Sequence, residues 1–175
     1  MRTKLIAFAA IATMQAAMAA AASNAAEVAS ARAFLRAIYA HYERNDSFAI
    51  LGDKEEPEYF AADTLKLLRE NTRLLQGEIG DIEVDPVCVC QDSAGLKATI
   101  GDVVMTGPAS ARATVLLKDT GSPKFSSEIR FDLAFERGKW RINDLGWKRK
   151  DYPPLASYRA SLIRENRTLS ASARH

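Results

Sequence analysis

The segment from Phe125 to Phe135 alternates apolar and polar residues with a period of two. Successive side chains of a β-strand point to opposite faces of a sheet, so this pattern predicts a strand that is buried on one face. Three more segments alternate in the same way: 97–105, 111–118 and 139–143. Short turn-forming sequences separate the four segments: Gly107-Pro108, Asp119 to Pro123, and Arg137-Gly138. Because antiparallel hairpins need short connections, we expect a meander of four or more strands with one face on the core.

Helical spacing replaces this alternation in the first half of the chain. Residues 25–44 carry one apolar stripe, which consists of Phe34, Leu35, Ile38, Tyr39 and Tyr42. A second helix is expected over 58–76, between Pro57 and the stop signal Gly77. A short helix over about 155–169 follows Pro153-Pro154 and turns three residues to the core: Leu155, Tyr158 and Leu162. Helices that precede an antiparallel sheet define an α+β fold, in which they cover the concave face of a curved sheet.

The first residues have the three parts of a secretory signal peptide. Arg2 and Lys4 give a basic start, an apolar run follows, and Ala17-Met18-Ala19 is a small-x-small cleavage site. We expect a signal peptide over residues 1–19, with cleavage somewhere between 19 and 26, and a single domain over 27–170. A buried N-terminal helix is the alternative. No cysteine lies near the cleavage site, so no lipid anchor is expected, and in a Gram-negative bacterium the product is expected in the periplasm.

Charge is distributed unevenly along the chain. Residues 27–95 hold 14 acidic and 7 basic residues, whereas residues 96–175 hold 8 acidic and 15 basic residues. Without the signal the net charge is zero, so the basic balance of the full chain does not indicate a nucleic-acid partner. The two halves either neutralise each other by packing, which we favour, or steer a partner. A basic set consists of Lys148, Arg149, Lys150 and Arg159. We interpret it first as a solvated edge that the acidic half balances, with a candidate partner surface and contact with anionic lipid as the alternatives.

The two cysteines, Cys88 and Cys90, are separated by one residue. In an extended strand their Cα atoms would lie about 7 Å apart, whereas a disulfide prefers about 5.5–6 Å. Closing a bond therefore needs a local turn, which Asp85-Pro86 helps to form. We favour a structural disulfide over two buried thiols and over a redox or metal site. A metal or other cofactor is not expected, because only His41 and His175 add imidazole ligands and structural zinc needs four.

Five residues form the candidate pocket: Tyr39, Tyr42, Gln91, Asp92 and Trp140. The competing interpretation places both tyrosines in the core and Asp92 in a turn before Gly95. Asp81, Glu83 and Asp85 are interpreted as a solvated strand face rather than a calcium site, because the glycine and distal glutamate of a calcium loop are missing. No pair of side chains stands out for proton transfer, and no nucleophile motif or glycine-rich phosphate loop is present. We therefore expect no catalytic residues, although catalysis remains an open alternative.

Three motifs carry a resemblance to a known superfamily. The hairpin sequence Gly138-Lys139-Trp140-Arg141-Ile142, after two helices, resembles the nuclear transport factor 2-like (cystatin-like) superfamily. Phe34-Leu35-x-x-Ile38-Tyr39 and Asp85-Pro86-x-Cys88-x-Cys90-Gln91-Asp92 are similar to a family of exported bacterial proteins of unknown function that is assigned to it. The resemblance covers about residues 30–150. It implies a cone-shaped fold and export, but no activity.

The superfamily also implies two expectations about binding. Its domains often pair through the exposed sheet face, where this chain would present Glu128, Arg130 and Asp132. Its cone holds a ligand in several members, which include isomerases and dehydratases. We expect a periplasmic, non-enzymatic binding protein of the inhibitor or immunity type. A small-molecule binder or a cone-site enzyme is the alternative, and thiol chemistry at Cys88 and Cys90 is a third hypothesis.

Overall fold

A computed structural model describes residues 4–44, 50–51, 56–91, 95–119 and 126–172, with side chains from residue 22 onward. Helices α1 (Lys4–Arg44), α2 (Glu56–Tyr59) and α3 (Ala62–Leu75) come first. Five strands and a last helix follow: β1 (Leu96–Gly107), β2 (Ser110–Asp119), β3 (Ser126–Glu136), β4 (Lys139–Arg149), β5 (Tyr152–Leu155) and α4 (Tyr158–Ser172). The strands form one antiparallel sheet in chain order. The predicted α+β fold, with helices packed on an antiparallel meander, is confirmed.

Helix α1 ends at Arg44, as predicted, but begins at Lys4 and so runs through the predicted signal segment. Its apolar stripe packs inward, with only Phe34 half-buried. Two polar contacts fix the helix to the edge strand β1: Arg32 donates to the Ile100 carbonyl over 2.9 Å, and Glu43 accepts the Ala98 N–H over 3.2 Å. The helix thereby covers a sheet edge that would otherwise offer unpaired backbone groups. Among the described residues, no helix is long and apolar enough to cross a membrane.

The second predicted helix is broken into α2 and α3 at Phe60 and Ala61. Phe60 forms a β-bridge with Ile142, and the Ala61 N–H donates to the Ile142 carbonyl over 2.9 Å. The Thr64 hydroxyl donates to the next carbonyl of β4, at Asn143. This part of β4 has no neighbouring strand on that side, so its carbonyls are free to accept hydrogen bonds from residues 61 and 64. These bonds interrupt the predicted helix. Helix α3 then ends, as predicted, before Gly77, where Gln76 and Gly77 have φ angles of 52° and 95°.

The inner face of β3 follows the predicted alternation over most of its length. Ile129, Phe131 and Leu133 are fully or almost fully buried. Phe135 was expected among them and is 43% exposed, so that part of the prediction is wrong. It lies beside the β3–β4 turn, at the end of the inner face where a depression opens between α1 and the sheet. Phe125 lies outside the described residues.

The C-terminal helix begins three residues later than predicted. Tyr152–Leu155 forms the edge strand β5, where the two prolines are tolerated because no further strand pairs with their nitrogens. Leu155 is therefore a half-buried strand residue. Ser157 caps α4 by accepting the Ala160 N–H over 3.0 Å. Tyr158 and Leu162 are buried, as expected.

Candidate functional site

The segment Asp85–Cys90, here called the cysteine loop, is the least exposed part of the connection between α3 and the sheet. Val87, Cys88 and Val89 are at most 1% exposed. The loop lies between the second half of α1, which contacts it through Tyr39 and Tyr42, and Arg149 at the end of β4. A loop in this position belongs to the hydrophobic core rather than to the surface.

Backbone hydrogen bonds and the cysteine pair close the loop on itself. The Asp85 N–H donates to the Cys90 carbonyl over 3.1 Å, and the Val89 N–H donates to the Asp85 carbonyl over 2.7 Å. The sulfurs of Cys88 and Cys90 are in bonding contact, with Cα atoms 5.1 Å apart. Val89 adopts a φ of +54°, which shortens the separation that an extended strand would impose. The expectation that the cysteines meet through a local turn is confirmed.

Asp85 is the charged group at the centre of this arrangement. Its carboxylate accepts the Tyr42 phenol over 2.6 Å and the Val87 N–H over 2.8 Å. Burial raises the pKa of Asp85 above its usual range, while the hydrogen bonds from Tyr42 and Val87 oppose that shift. Burial, followed by the charge of Asp85, also raises the phenol pKa of Tyr42 and of Tyr39. Both phenols are therefore protonated hydrogen-bond donors at neutral pH.

The interpretation of Asp81, Glu83 and Asp85 as one solvated strand face is wrong, because residues 81–84 form no strand and Asp85 is largely buried. Asp81 and Glu83 are exposed, but Asp85 turns inward, since its carboxylate bonds to the backbone two residues ahead. That contact is an Asx-turn, which Asp-Pro sequences favour. The Asp85-Pro86 pair was the sequence signal for this turn, whereas its contact with Tyr42 had no local signal.

The main-chain carbonyls of the loop are held from two sides. The Tyr39 phenol donates to the Val87 carbonyl over 2.8 Å. The Arg149 guanidinium donates to the Val89 carbonyl. Arg149 was expected on the partner surface, but its side chain contacts the interior loop. Helix α1 and strand β4 therefore hold the cysteine loop between them.

The predicted pocket residues do not line a common cavity. Tyr39 and Tyr42 are buried against the cysteine loop, with ring centroids 5.9 Å apart. Gln91 is exposed just beyond that loop, and Asp92 lies outside the described residues. Trp140 is near the start of β4, whereas the loop contacts Arg149 at the strand's end. The tyrosines and the tryptophan therefore belong to different ends of the fold.

Trp140 lines a separate depression, here called the Trp140 groove. The groove has a volume of about 340 Å³ and lies between α1, α2 and the β3–β4 hairpin. Its wall includes Phe34, Tyr59, Phe135, Lys139, Trp140 and Arg141. Phe135 and Trp140 pack edge to face with centroids 5.2 Å apart, and Phe34 and Tyr59 form a second pair at 6.4 Å. Sequence analysis singled out Trp140 but missed its aromatic neighbours, which come from three separate elements.

Of the other residues predicted for the partner surface, two are exposed to solvent and one contacts another side chain of the fold. Lys148 and Lys150 are exposed. Arg159 is half-buried and donates to the Asn143 side chain over 2.7 Å. With Arg149 directed to the cysteine loop, only the two lysines of the predicted set lie freely on the surface.

The outer face of the sheet carries the residues expected for pairing between subunits. Asp132 accepts the Arg112 guanidinium over 2.7 Å and lies 3.6 Å from that of Arg130. Glu128 is exposed opposite Lys148. Pairing through this face remains a prediction. Within the described residues, no group of three or more histidine, cysteine or acidic side chains is placed to hold a metal ion.

Comparison with known proteins identifies a distant relative without assigning an activity. The chain is 29% identical over 112 residues to the uncharacterized protein YqhG of Escherichia coli (strain K12). The match covers 63% of this chain and 36% of YqhG, so this chain aligns with about a third of that relative's length. No family model matches the chain, and no solved structure matches it.

Proposed function

We propose that this chain is an exported, non-enzymatic periplasmic protein that binds another protein, in the manner of an inhibitor or an immunity protein. The observation that carries the proposal is the filled interior. Val87, Cys88 and Val89 occupy the space between α1 and the sheet, and contacts from Tyr39 and Arg149 hold them there. Binding is therefore assigned to the surface of the domain rather than to a chamber inside it.

We further propose that the domain is a nuclear transport factor 2-like cone whose interior this loop closes. The order of helices before the meander and the Gly138–Ile142 hairpin support that assignment. Export is supported by the signal-like first 19 residues and by the bonded Cys88–Cys90 pair, because disulfides persist in oxidising compartments.

The outer face of the sheet is the proposed binding surface. Val104 and Leu116 point to this face and are 58% and 42% exposed. Val104 lies opposite Arg112, and Leu116 lies opposite Glu128. Apolar side chains set among charges of both signs form a surface that a protein with a complementary charge pattern can recognise.

Cross-linking of the wild type and of variants on two different surfaces tests this proposal. The chain is expressed with its own N-terminus, cross-linked in the periplasm, and its adducts are identified by mass spectrometry. The intact mass of the chain is expected to show processing between residues 19 and 26. The cross-linked adducts are expected to contain one defined protein partner. Leu116→Glu should abolish that adduct, because it places a charge in the proposed interface. Ile79→Glu is the matched control, since Ile79 is 78% exposed on a different surface.

Three outcomes contradict the proposal. The first is the absence of any specific adduct when the wild-type chain is folded and exported. The second is equal loss of the adduct in Leu116→Glu and Ile79→Glu. The third is recovery of the unprocessed chain from the cytoplasm, which would remove the periplasmic part of the proposal.

A further inference from the structure

The register of the sheet places two lysines directly opposite each other on its outer face. Lys97 of β1 pairs with Lys118 of β2, and both side chains are exposed. They lie on the same face as Leu116, because residues two apart in a strand share a face. Like charges directly opposite each other destabilise a sheet. This pair therefore lowers the stability of the isolated chain, and an anion bound at the two ammonium groups would remove the repulsion.

A third lysine extends the positive charge across the same face. Leu116 pairs with Glu128 of β3, and Glu128 pairs in turn with Lys148 of β4. Glu128 and Lys148 are both exposed. On these paired positions the three lysines, Lys97, Lys118 and Lys148, stand against one glutamate. They are here called the lysine cluster.

The cations farther along the same face are already neutralised. Arg112 and Arg130 both approach the Asp132 carboxylate, at 2.7 and 3.6 Å. Among the residues that the structure describes, no ion pair of this kind forms at the lysine cluster. Positive charge without a counter-charge is therefore concentrated at the lysine cluster, where it attracts a negatively charged partner.

A depression beside the lysine cluster provides room for an apolar side chain. It has a volume of about 370 Å³, and Glu128 and Lys148 line it from the sheet. Pro154, Leu155 and Ala156 line it from β5 and the residue that follows. Leu155 is only half-buried, so it leaves apolar surface to cover. The volume lies in the range of small-ligand sites and is large enough for one or two side chains of a partner.

We infer that the outer face of the sheet binds an acidic segment of the protein partner, with an apolar side chain between its carboxylates. The apolar side chain occupies the depression beside β5, and the carboxylates lie at the lysine cluster. Charge complementarity selects the segment, and the exposed Leu116 adds apolar contact beside it. The inference rests on the proposed function, because it names the chemistry of the partner at the same surface.

Nuclear magnetic resonance tests the charge preference on the ¹⁵N-labelled wild-type protein. The probes are two acetylated and amidated pentapeptides, EELEE and its uncharged counterpart QQLQQ. We expect EELEE to shift the backbone amide signals of residues 97, 118 and 148 in a saturable way, with Kd of about 1 mM or below at low ionic strength. QQLQQ should bind about tenfold more weakly, since it cannot neutralise the lysines. Added salt should weaken the binding of EELEE but not that of QQLQQ.

Two matched double variants separate this surface from positive charge in general. Lys97→Gln with Lys118→Gln removes the like-charge pair, so this variant should fold at least as stably as the wild type and bind EELEE about tenfold more weakly. Lys66→Gln with Arg69→Gln removes the same charge from exposed positions of α3 and should leave the affinity unchanged. Three results would overturn the inference: no saturable shift at the lysine cluster, equal affinity for the two peptides, or equal weakening in both double variants.

Comparison with the cross-linking experiment distinguishes this inference from the proposed function. If EELEE does not bind the lysine cluster while Leu116→Glu still abolishes a periplasmic adduct, only this inference is overturned. If EELEE binds there but the wild type forms no adduct, the acidic preference of the face is supported and the proposed function is overturned. Vesicles of phosphatidylglycerol that bind the lysine cluster when EELEE does not would overturn the inference in favour of an anionic membrane.

Discussion

The Tyr42 phenol donates a 2.6 Å hydrogen bond to the Asp85 carboxylate, across 43 positions of the chain. The bond joins the end of α1 to the start of the cysteine loop. Tyr39, one helical turn earlier, donates to the Val87 carbonyl of the same loop. Two adjacent tyrosines of one helix therefore hold one loop, but one bond has a charged acceptor and the other a neutral one.

Removing the Tyr42 hydroxyl should destabilise the protein more than removing that of Tyr39. Tyr42→Phe leaves a largely buried carboxylate with one donor fewer, so we expect the free energy of unfolding to fall by about 1.5–3 kcal/mol. Tyr39→Phe removes a bond to a carbonyl and should cost about 1 kcal/mol. Urea unfolding at pH 7, followed by circular dichroism, measures both. Equal losses, or a larger loss in Tyr39→Phe, would contradict the charged hydrogen bond.

Asp85 should make the protein less stable as pH rises above about 4, the opposite of what a carboxylate with a lowered pKa does. Its raised pKa means that the folded state holds the proton more tightly than the unfolded chain, whose aspartate pKa is about 3.9. Between these two pKa values the folded state binds more protons, so the contribution of Asp85 to the unfolding free energy decreases as pH rises. Above the folded-state pKa its contribution is constant.

Asp85→Asn isolates that contribution, because asparagine does not titrate in this range. The unfolding free energy of the wild type minus that of Asp85→Asn should be largest near pH 4, decrease with rising pH, and then level off. Urea unfolding at pH values between 4 and 8 gives the difference directly. A difference that is constant, or that increases with pH, would show that the folded-state pKa of Asp85 is not raised.

Reduction of the cysteine pair should weaken the fold without abolishing it. The Cys88–Cys90 bond closes a very short loop, for which the chain-entropy model gives a stabilisation of about 1.5 kcal/mol. We expect unfolding with dithiothreitol to occur at lower urea concentration than unfolding without it. The control is Cys88→Ala with Cys90→Ala, in which the reductant should have no effect. Two reactive thiols in the unfolded, unreduced wild type would contradict the bond itself.

The sheet could be predicted from the sequence because its signal is local. Alternation along β3 depends on the covalent geometry of an extended chain, so the burial of Ile129, Phe131 and Leu133 could be inferred without a partner. The exposure of Phe135 could not, since it depends on where α1 stops covering the sheet. The break at Phe60 depends in the same way on the unpaired edge of β4, which lies about 80 positions along the chain.

The candidate sites were harder to predict from the sequence for the same reason. The Asp85-Pro86 turn signal predicted that the chain could bring Cys88 and Cys90 together. It did not show that Tyr42 and Arg149 would reach the loop from distant elements. Trp140 was singled out as a pocket residue together with two tyrosines that lie at the other end of the fold. Residue type alone could identify the side chains of the candidate sites. Which of them lie together depends on the tertiary structure.

A larger residue at Gly146 should destabilise the fold, because the end of β5 and the residue that follows it cross directly over this glycine. A Cβ atom at this position would lie 2.5 Å from the Leu155 carbonyl oxygen and 2.6 Å from that of Ala156. The same Ala156 oxygen accepts the Arg130 guanidinium over 2.7 Å, so a shift of this segment would also strain that bond. Both obstructing groups are backbone, which cannot move aside as the end of a side chain can.

We therefore expect Gly146→Ala to lower the unfolding free energy by about 1–3 kcal/mol, the usual cost of forcing extra atoms into a packed site. Gly101→Ala is the graded control. Its Cβ would meet one backbone oxygen, that of Thr114, at 3.1 Å, so a smaller loss is expected. Thermal unfolding of the two variants ranks them. If Gly146→Ala is as stable as the wild type, the β5–α4 segment must lie farther from β4 than this close crossing.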